Sequence, residues 1–377
     1  MAATGTAPIQ ISLDPAIASA GTDELLSAIL RANSRVSDLI FSPGRGLQVQ
    51  IHGQFVALES QVISHFTADD TRRIASQLIG TNKAAIAMLR EQGYCDVSYA
   101  LPGVARFRVN VFIQRGSCAI VMRVIPTSIP TLNSIGAPSE LARIGTLRDG
   151  LVLVTGPRGS GKSSTLAALV NEINESTACH IITIEDPIEF LHTHKRAIVH
   201  QRELHSDTPS IAHAMRAALR QAPNVIVVGE LKERETMELA LEAAETGHLV
   251  LSTLNTMTPS QSVERLVSAF SAAEQQTVRD RLARMLRWIV CQRLIPRQDG
   301  ERTAIFEVEQ GTSHWLRLEA EGNNICTTPS NGPSRIDAEL ERLVRAGLVA
   351  PDVVLAHAVD PGSLSARLSK PAKPRLR

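Results

Sequence analysis

The 377-residue sequence has few aromatic residues and almost no excess of charge of either sign. It contains 8 Phe, 2 Trp and 2 Tyr, and its 39 basic residues are matched by 38 acidic ones. So few rings leave few platforms for stacking single-stranded bases, and a net charge of +1 creates no global field that would gather nucleic acid or anionic lipid. A dedicated nucleic-acid-binding protein is therefore disfavoured, although the composition does not exclude a local basic patch.

Cysteine is scarce and irregularly placed. The five cysteines are odd in number and never come within CxxC spacing. This pattern argues against a disulfide scaffold and against a four-cysteine zinc site, and it fits a reducing compartment. The cysteines are Cys95, Cys118, Cys179, Cys291 and Cys326.

Long apolar runs are also missing. No stretch approaches the roughly 20 apolar residues that a membrane-spanning helix requires. The N-terminus, MAATGTAPIQ, does not show the basic start and apolar stretch of a secretory signal. We therefore expect a cytoplasmic protein whose contact with a membrane goes through a partner.

Apolar residues nevertheless make up 44% of the chain, which is enough for two or three domains with a core each. The front of the chain mixes helical spacing with β-rich segments and turns, which predicts an α+β region. From Gly150, short apolar strands alternate with helices, a pattern typical of a parallel sheet covered on both faces. The strands are predicted at 151–155, 181–185, 225–229 and 249–253, and the helices at 166–173, 212–219 and 235–245.

These patterns predict an α/β protein built from several segments. Beyond residue 260 the sequence pattern is mostly helical, with helices predicted at 263–270, 273–291 and 337–345. The predicted segments are a flexible N-terminus (1–20), an N-terminal α+β domain (21–126), a linker (127–149), a nucleotide-binding domain (150–318), a helical C-terminal region (319–368) and a disordered basic tail (369–377).

The strongest motif is GPRGSGKS at 156–163, which fits the phosphate-binding pattern GxxxxGK[ST] between a predicted strand and a predicted helix. Glycines let successive backbone N–H groups curl around phosphates, and the helix that follows directs its positive end at the same charge. Lys162 is expected to pair with the β and γ phosphates, and Ser163 to offer its hydroxyl to Mg²⁺. ATP and Mg²⁺ are therefore the predicted ligands, and the predicted nucleotide-binding residues are Gly156, Pro157, Arg158, Gly159, Ser160, Gly161, Lys162, Ser163 and Ser164.

Acidic residues follow two of the predicted strands, at the sheet edge where ligands bind in such folds. Glu185, Asp186 and Glu189 lie in TIEDPIEF, and Glu230 directly follows VIVVG. Hydrolysis needs acidic groups that hold the metal and orient water, so we expect these residues beside the phosphate loop. Glu230 has the position of a Walker B carboxylate and is, with Ser163, a predicted Mg²⁺ ligand.

His248 comes immediately before another predicted strand. A place near the same sheet edge would give it a role in the site. Four further histidines occur in a polar stretch without regular metal-ligand spacing and are interpreted as surface residues. They are His192, His194, His200 and His205.

With the phosphate loop, TIEDPIEF, LRQAPNVIVVGE and AETGHLVLSTL in this order, the chain resembles the secretion ATPase superfamily. Within it, the chain is most similar to the PilT-like twitching-motility ATPases, which drive retraction of type IV pili. The resemblance extends from about residue 23 to about residue 361 and includes GVARFRVNVF and RAGLVAPDVVLAHAVDP. It implies an N-terminal PAS-like α+β domain, a RecA-like P-loop ATPase domain with a helical C-terminal extension, a homo-hexameric ring, and an inner-membrane pilus platform protein as partner.

The resemblance also implies roles for single residues. Lys162 and Ser163 match the Walker A phosphate and magnesium positions, and Glu189 matches the residue that activates water. Glu230 matches the Walker B acid, and His248 matches the first residue of the His box.

Two arginines of the front domain complete the implied catalytic set. Arg108 and Arg123 fall where the family has arginines that reach the nucleotide. Cations there would stabilise charge on the γ phosphate.

Three places depart from the family pattern. Asn255 occupies the position of the second histidine of the His box, and asparagine can keep a hydrogen bond but cannot carry a proton charge. The segment at 37–40 is SDLI where the family has SDLH. The AIRNLIRE motif associated with retraction is not recognisable, and GTSHWLRLEAEG at 311–322 stands roughly in its place.

A retraction motor is the leading hypothesis, and the protein is expected to be peripheral to the inner membrane through the pilus machinery. One alternative is an accessory ring subunit of the PilU-like type, which binds ATP and depends on a paralogous motor. Another is a pilus assembly or type II secretion ATPase, but these usually have a longer region before the phosphate loop and a four-cysteine zinc element, which this chain lacks. A nucleic-acid translocase is disfavoured by the neutral charge and the few aromatics.

Overall fold

The computed structural model describes residues 9–10, 21–33, 35–51, 54–59, 64–125, 128–311 and 334–369. The predictions for most of the N-terminal segment 1–20, for the first part of the C-terminal region (319–333), for the tail from residue 370 and for the stretch that replaces the retraction motif lie outside these residues. The chain divides into two compact units, Met1–Ser128 and Ile129–Arg377.

In its described residues, the N-terminal unit consists of a seven-stranded sheet and three α-helices. Its strands are β1 (Ile9–Gln10), β2 (Val36–Phe41), β3 (Gln48–Ile51), β4 (Gln54–Glu59), β5 (Tyr94–Leu101), β6 (Ala105–Gln114) and β7 (Ser117–Ile125). Its helices are α1 (Thr22–Ala32), α2 (Ala68–Ile79) and α3 (Lys83–Gln92). The strand order is β1-β4-β3-β2-β7-β6-β5, with β1 parallel to β4 and the other described pairs antiparallel.

Alternation along β6 shows how this sheet separates its two faces. Phe107, Val109 and Val111 are fully buried, whereas Arg108 between them is exposed. Successive side chains of a strand point to opposite faces, so one face of the sheet packs on the helices and the other carries polar residues.

The second unit is built on a seven-stranded mixed sheet. Its strands are β8 (Gly150–Thr155), β9 (His180–Glu185), β10 (Ile198–Glu203), β11 (Val225–Val228), β12 (Leu249–Leu254), β13 (Leu286–Pro296) and β14 (Arg302–Gln310). Their order is β10-β9-β11-β12-β8-β13-β14, and all neighbours are parallel except β13 and β14.

Helices cover both faces of this sheet. They are α4 (Lys162–Ser176), α5 (Ile211–Ala218), α6 (Arg234–Glu245), α7 (Pro259–Val267), α8 (Gln275–Met285), α9 (Arg335–Arg345), α10 (Pro351–His357) and α11 (Pro361–Leu368). In one core, the helices α5, α6, α7 and α8 pack on one face of the sheet. In a second core, α4 packs on the other face of the sheet. The expectation of an α/β fold with buried parallel strands is confirmed for β8, β9, β11 and β12, which are apolar on both faces.

The predicted helix over 273–291 is wrong beyond Met285. Helix α8 ends there, and the chain continues as β13, which pairs with β8 on one side and with β14 on the other. An apolar run such as WIVC fits a buried strand as well as a helix, because periodicity does not separate the two. Strands β10 and β14 were not predicted either.

Part of the segment expected as a linker packs on the second unit. A 3₁₀ helix at Ser139–Thr146 buries Leu141 and Ile144 in the same core as Leu169 and Ile173 of α4. None of the helices in the described ranges combines the length and the apolar content that a membrane span requires.

Candidate functional site

The carboxyl ends of four parallel strands meet at one edge of the second sheet. Cα pairing places Thr155, the last residue of β8, opposite Leu254 of β12, and it places Val228 of β11 opposite Ile184 of β9. The phosphate loop, the TIEDPIEF segment, Glu230 and Asn255 all follow these ends directly. In open α/β sheets this edge is where ligands bind.

The phosphate loop connects β8 to α4, and the glycines at its two ends are required by their surroundings. Gly156 has φ +151°, and a Cβ on it would lie 2.2 Å from the backbone oxygen of Gln292 and 2.6 Å from Ser160 Oγ. Gly161 has φ +88°, and a Cβ there would lie 2.8 Å from Gln292 Nε2. Because α4 begins at Lys162, the free N–H groups of its first turn point into this loop.

Gln292 is a site residue that the sequence did not reveal. It lies on β13, is buried, and accepts a hydrogen bond at Oε1 from Thr165 Oγ1 of α4 at 2.6 Å. Its backbone oxygen faces Gly156 and its side-chain amide faces Gly161, so it lies directly against the loop. No motif contains it, and the part of β13 that precedes it, up to Cys291, was expected to belong to a helix.

Lys162 is held in the loop, and two carboxylates act on it. Its Nζ donates to the carbonyl oxygens of Gly156 at 2.8 Å and Pro157 at 2.9 Å. Burial lowers the pKa of Lys162, while the charges of Glu230 and Glu189 oppose that shift. Both carboxylates therefore face the loop closely enough for their charges to act on the ammonium group.

Glu230 is half-buried at the end of β11, and two residues bind its carboxylate. Asn255 Nδ2 donates to Oε1 at 2.5 Å, and Lys232 Nζ lies 3.4 Å from Oε2. Asn255, which replaces the second His-box histidine, therefore still makes a hydrogen bond in the site.

The two glutamates of TIEDPIEF occupy different environments. Glu185 accepts hydrogen bonds at Oε1 from Thr183 Oγ1 at 2.6 Å and from Gln201 Nε2 at 3.0 Å. Burial raises the pKa of Glu185, and the neighbouring charge of Glu189 adds to that effect, while the hydrogen bonds act against it. Glu189 is exposed. Of the two, Glu189 is therefore the one that a ligand can reach.

The expected place of His248 at this edge is wrong. Its backbone oxygen accepts from Gly150 N–H at the start of β8, so it lies at the opposite end of the sheet from the phosphate loop. Its Nδ1 lies 3.0 Å from the carbonyl oxygen of Ala243 and 3.2 Å from Thr246 Oγ1. The structure does not bring His248 together with Lys162, Glu189 and Glu230 within one chain.

Arg108 and Arg123 belong to the N-terminal unit. They are paired across β6 and β7. Arg123 Nε donates to the buried carboxylate of Asp38 at 2.8 Å. The aspartate of the SDLI segment thus holds one of the two arginines, and the side chains of both are exposed.

A family model and the related sequences of known proteins agree on the family of this chain. The family model described as type II/IV secretion system protein matches residues 47–340. A twitching motility protein of Neisseria gonorrhoeae is 39% identical over 324 residues, which are 84% of this chain and 85% of that protein. The type IV pilus retraction ATPase PilT of Pseudomonas aeruginosa is 43% identical over 261 residues, 68% of this chain and 76% of its own length.

A solved structure agrees with the sequence relatives. The crystal structure of the pilus retraction motor PilT with bound ADP superposes with a TM-score of 0.81 at 35% identity. The match covers 92% of this chain and 99% of that one.

Proposed function

Because the chain belongs to the type II/IV secretion system protein family, we propose that it is an ATP-hydrolysing motor of a type IV pilus machine that drives pilus retraction. The observation that carries this proposal is the convergence at one sheet edge of the phosphate loop, which follows β8, and of Glu189 and Glu230, which follow β9 and β11. A lysine and two acids beside a phosphate loop are the groups that phosphoryl transfer to water requires.

Each group has a distinct task in this proposal. Backbone N–H groups of the loop and of the first turn of α4 bind the phosphates, and Lys162 neutralises charge on the β and γ phosphates. Glu189, exposed beside the loop, accepts a proton from the attacking water. Asn255 and Lys232 both contact the carboxylate of Glu230 and hold it at the end of β11.

Mg²⁺ fits the oxygen donors at this edge. Ser163, the second residue of α4, offers a hydroxyl, and the half-buried Glu230 offers a carboxylate. Mg²⁺ prefers such hard oxygen ligands together with water and phosphate. When bound, the ion neutralises charge on the transferred phosphoryl group.

The domain and assembly assignments follow from the family. We infer that residues 21–126 form a PAS-like domain, that 150–318 form a RecA-like ATPase domain, and that the chain works as a homo-hexameric ring on an inner-membrane platform protein. Arg108 and Arg123 would then supply cations to a nucleotide, and the ring would be cytoplasmic. The catalytic role of His248 also stays a prediction, because its position requires that it act on another part of the assembly.

Purified protein tests the proposal directly. Mg²⁺-dependent ATP hydrolysis should exceed that of Lys162→Ala by a factor on the order of 100, since one transition-state contact of this kind has that magnitude. In cells, deletion of the gene should abolish twitching while surface pili remain. ATPase activity no higher than the Lys162→Ala control, also with the platform protein present, would rule the motor out.

An accessory ring subunit is the second candidate, and Asn255 is the observation that favours it. An amide beside Glu230 cannot take up a proton, so a function that needs a charged imidazole there is lost. In this case the protein should hydrolyse ATP slowly alone and faster in a ring with a paralogous motor. Equal activity per subunit in the pure and the mixed ring would exclude it.

A further inference from the structure

Strand β10 contacts the segment that carries Glu189. Two of its residues, Gln201 and Glu203, bind the backbone of residues 186–192. Glu203 Oε2 accepts from the N–H of Ile188 at 3.0 Å. Gln201 Nε2 donates to the carbonyl oxygen of Phe190 at 2.8 Å, and its Oε1 accepts from the N–H of His192 at 2.8 Å.

These three bonds are regularly spaced. They reach every second residue of the segment, and Gln201 and Glu203 are themselves two residues apart, so they share one face of the strand. The side chains of Ile188 and Phe190 are buried, whereas Glu189 between them is exposed. The backbone on either side of Glu189 is therefore fixed while its carboxylate stays accessible.

Gln201 also connects this segment to the end of β9. Its Nε2 donates to Glu185 Oε1 as well as to the carbonyl oxygen of Phe190. Because its Oε1 accepts from His192, both the nitrogen and the oxygen of its amide group are bonded. The backbone N–H of Glu189 also acts on the Glu185 carboxylate, because it is among the groups that lower the pKa of Glu185. The segment is thus attached to two neighbouring strands through polar side chains.

Stability alone does not explain why a carboxylate is buried at position 203. Glu203 is only 4% exposed, and a buried carboxylate loses hydration that hydrogen bonds replace in part. An apolar residue at the same place would pack without that cost. The Oε2 of Glu203 accepts from the N–H of Ile188 and its Oε1 from Ser206 Oγ at 3.3 Å, so this buried carboxylate joins the segment of Glu189 to the end of β10. A buried acid with these bonds beside an active-site acid favours a role in geometry.

We propose that Gln201 and Glu203 are positioning residues: they hold residues 186–192 in register on β10 and so hold the Glu189 carboxylate where it activates water. The proposal rests on the function proposed above for Glu189. Binding of the phosphates is separate, because the phosphate loop follows β8, and three strands of the sheet lie between β8 and β10.

This separation sets the expected kinetics. A misplacement of about 1 Å at a catalytic group costs roughly 100-fold in rate. Loss of either positioning residue should therefore lower kcat and leave KM for ATP almost unchanged. A residue with a purely structural role would lower thermal stability and the amount of active enzyme, without this selective effect.

The experiment uses the full chain and four variants. Gln201→Met and Glu203→Met remove the polar bonds at similar volume, and Glu203→Gln keeps an oxygen that accepts from Ile188. His200→Gln is the matched control, since His200 lies on the opposite face of β10 and bonds to His180. Steady-state ATPase kinetics and binding of a non-hydrolysable ATP analogue are measured for each, with Glu189→Gln as reference.

We expect kcat to fall on the order of 10- to 100-fold in the two Met variants, with KM and analogue affinity within about threefold of wild type. Glu203→Gln should recover most of the lost kcat, and His200→Gln should behave as wild type. If Glu203→Met does not fold, Gln201→Met still decides, because Gln201 is only half-buried.

Two results would overturn different conclusions. A kcat within about twofold of wild type in Gln201→Met, with Glu189→Gln inactive, would refute the positioning role and leave the proposed function intact. Full activity of Glu189→Gln would refute the proposed role of Glu189, and the positioning role with it.

Discussion

The side-chain amide of Asn255 donates to Glu230 Oε1 at 2.5 Å. The two residues follow adjacent parallel strands, β12 and β11, so the pairing of the sheet brings them together. Asparagine thus keeps a donor at a place where the family pattern has a histidine, and the donor acts on the Walker B carboxylate.

Removal of this donor should weaken catalysis. Asn255→Ala removes the hydrogen bond to the Glu230 carboxylate. A hydrogen bond to a charged group typically contributes about 1.5–3 kcal/mol, so we expect kcat to fall roughly 10-fold. Asn255→Asp keeps the shape but places a second carboxylate beside Glu230, and it should be less active than the alanine variant. Steady-state ATPase assays at constant ionic strength measure both. Wild-type kcat in Asn255→Asp would show that the contact has no catalytic role.

A histidine at this position should restore the donor and add a titration. Asn255→His is expected to retain ATPase activity and to change kcat between about pH 6 and 7, where an imidazole gains or loses its proton. The pH–rate profile of wild type is the control. A variant profile that coincides with the wild-type profile would mean that the imidazole does not contact Glu230.

Substitution of Glu189 should reduce ATP turnover far more than substitution of Glu185. Glu189→Gln is expected to retain ATP binding and to lose turnover by a factor of about 100 or more, since an amide cannot act as base. Glu185→Gln should lose less than about 10-fold, because an amide oxygen can still accept the bonds from Thr183 and Gln201. Nucleotide binding and single-turnover hydrolysis are measured in parallel. The reverse ranking would make Glu185 the base.

Site residues could be predicted from the sequence where they belong to a local motif or follow a predicted strand, but not where they bind residues distant in the chain. The phosphate loop is a local motif, and Glu189, Glu230 and Asn255 follow strand ends, so the parallel sheet predicts that they meet. Gln292 and Gln201 bind residues distant in sequence, through strands that were not predicted, and neither belongs to a motif. His248 was misplaced because a residue that precedes a parallel strand lies at the other end of the sheet from one that follows it.

Stability should fall in mildly acidic solution because of His192. His192 was expected at the surface, but it is partly buried, and burial together with the nearby charge of Lys195 lowers its pKa to about 4. The unfolded chain therefore takes up a proton below its ordinary pKa of about 6.5 while the folded chain does not. The contribution of His192 is complete above pH 6.5, and the free energy of unfolding should decrease as the pH falls from 6.5 towards 4.

Urea unfolding across this pH range measures the effect. His192→Leu should flatten the pH dependence between 6.5 and 4, because leucine does not titrate. His213→Gln, at an exposed position of α5, is the control and should keep the wild-type dependence. A slope in His192→Leu equal to that of wild type would assign the acid sensitivity to other groups.

The bond between Gln292 and Thr165 should contribute to nucleotide affinity. Gln292 supports the phosphate loop from below, so Gln292→Met and Thr165→Val, which both remove the 2.6 Å bond at similar volume, should each weaken ATP binding. A buried hydrogen bond contributes about 1 kcal/mol, which corresponds to roughly a fivefold increase in Kd. Because both variants break the same bond, the double variant should bind ATP about as weakly as either single one. Additive losses in the double-mutant cycle would show that the two residues affect the loop independently. The side chain of Gln292 would then act through its position beside Gly161.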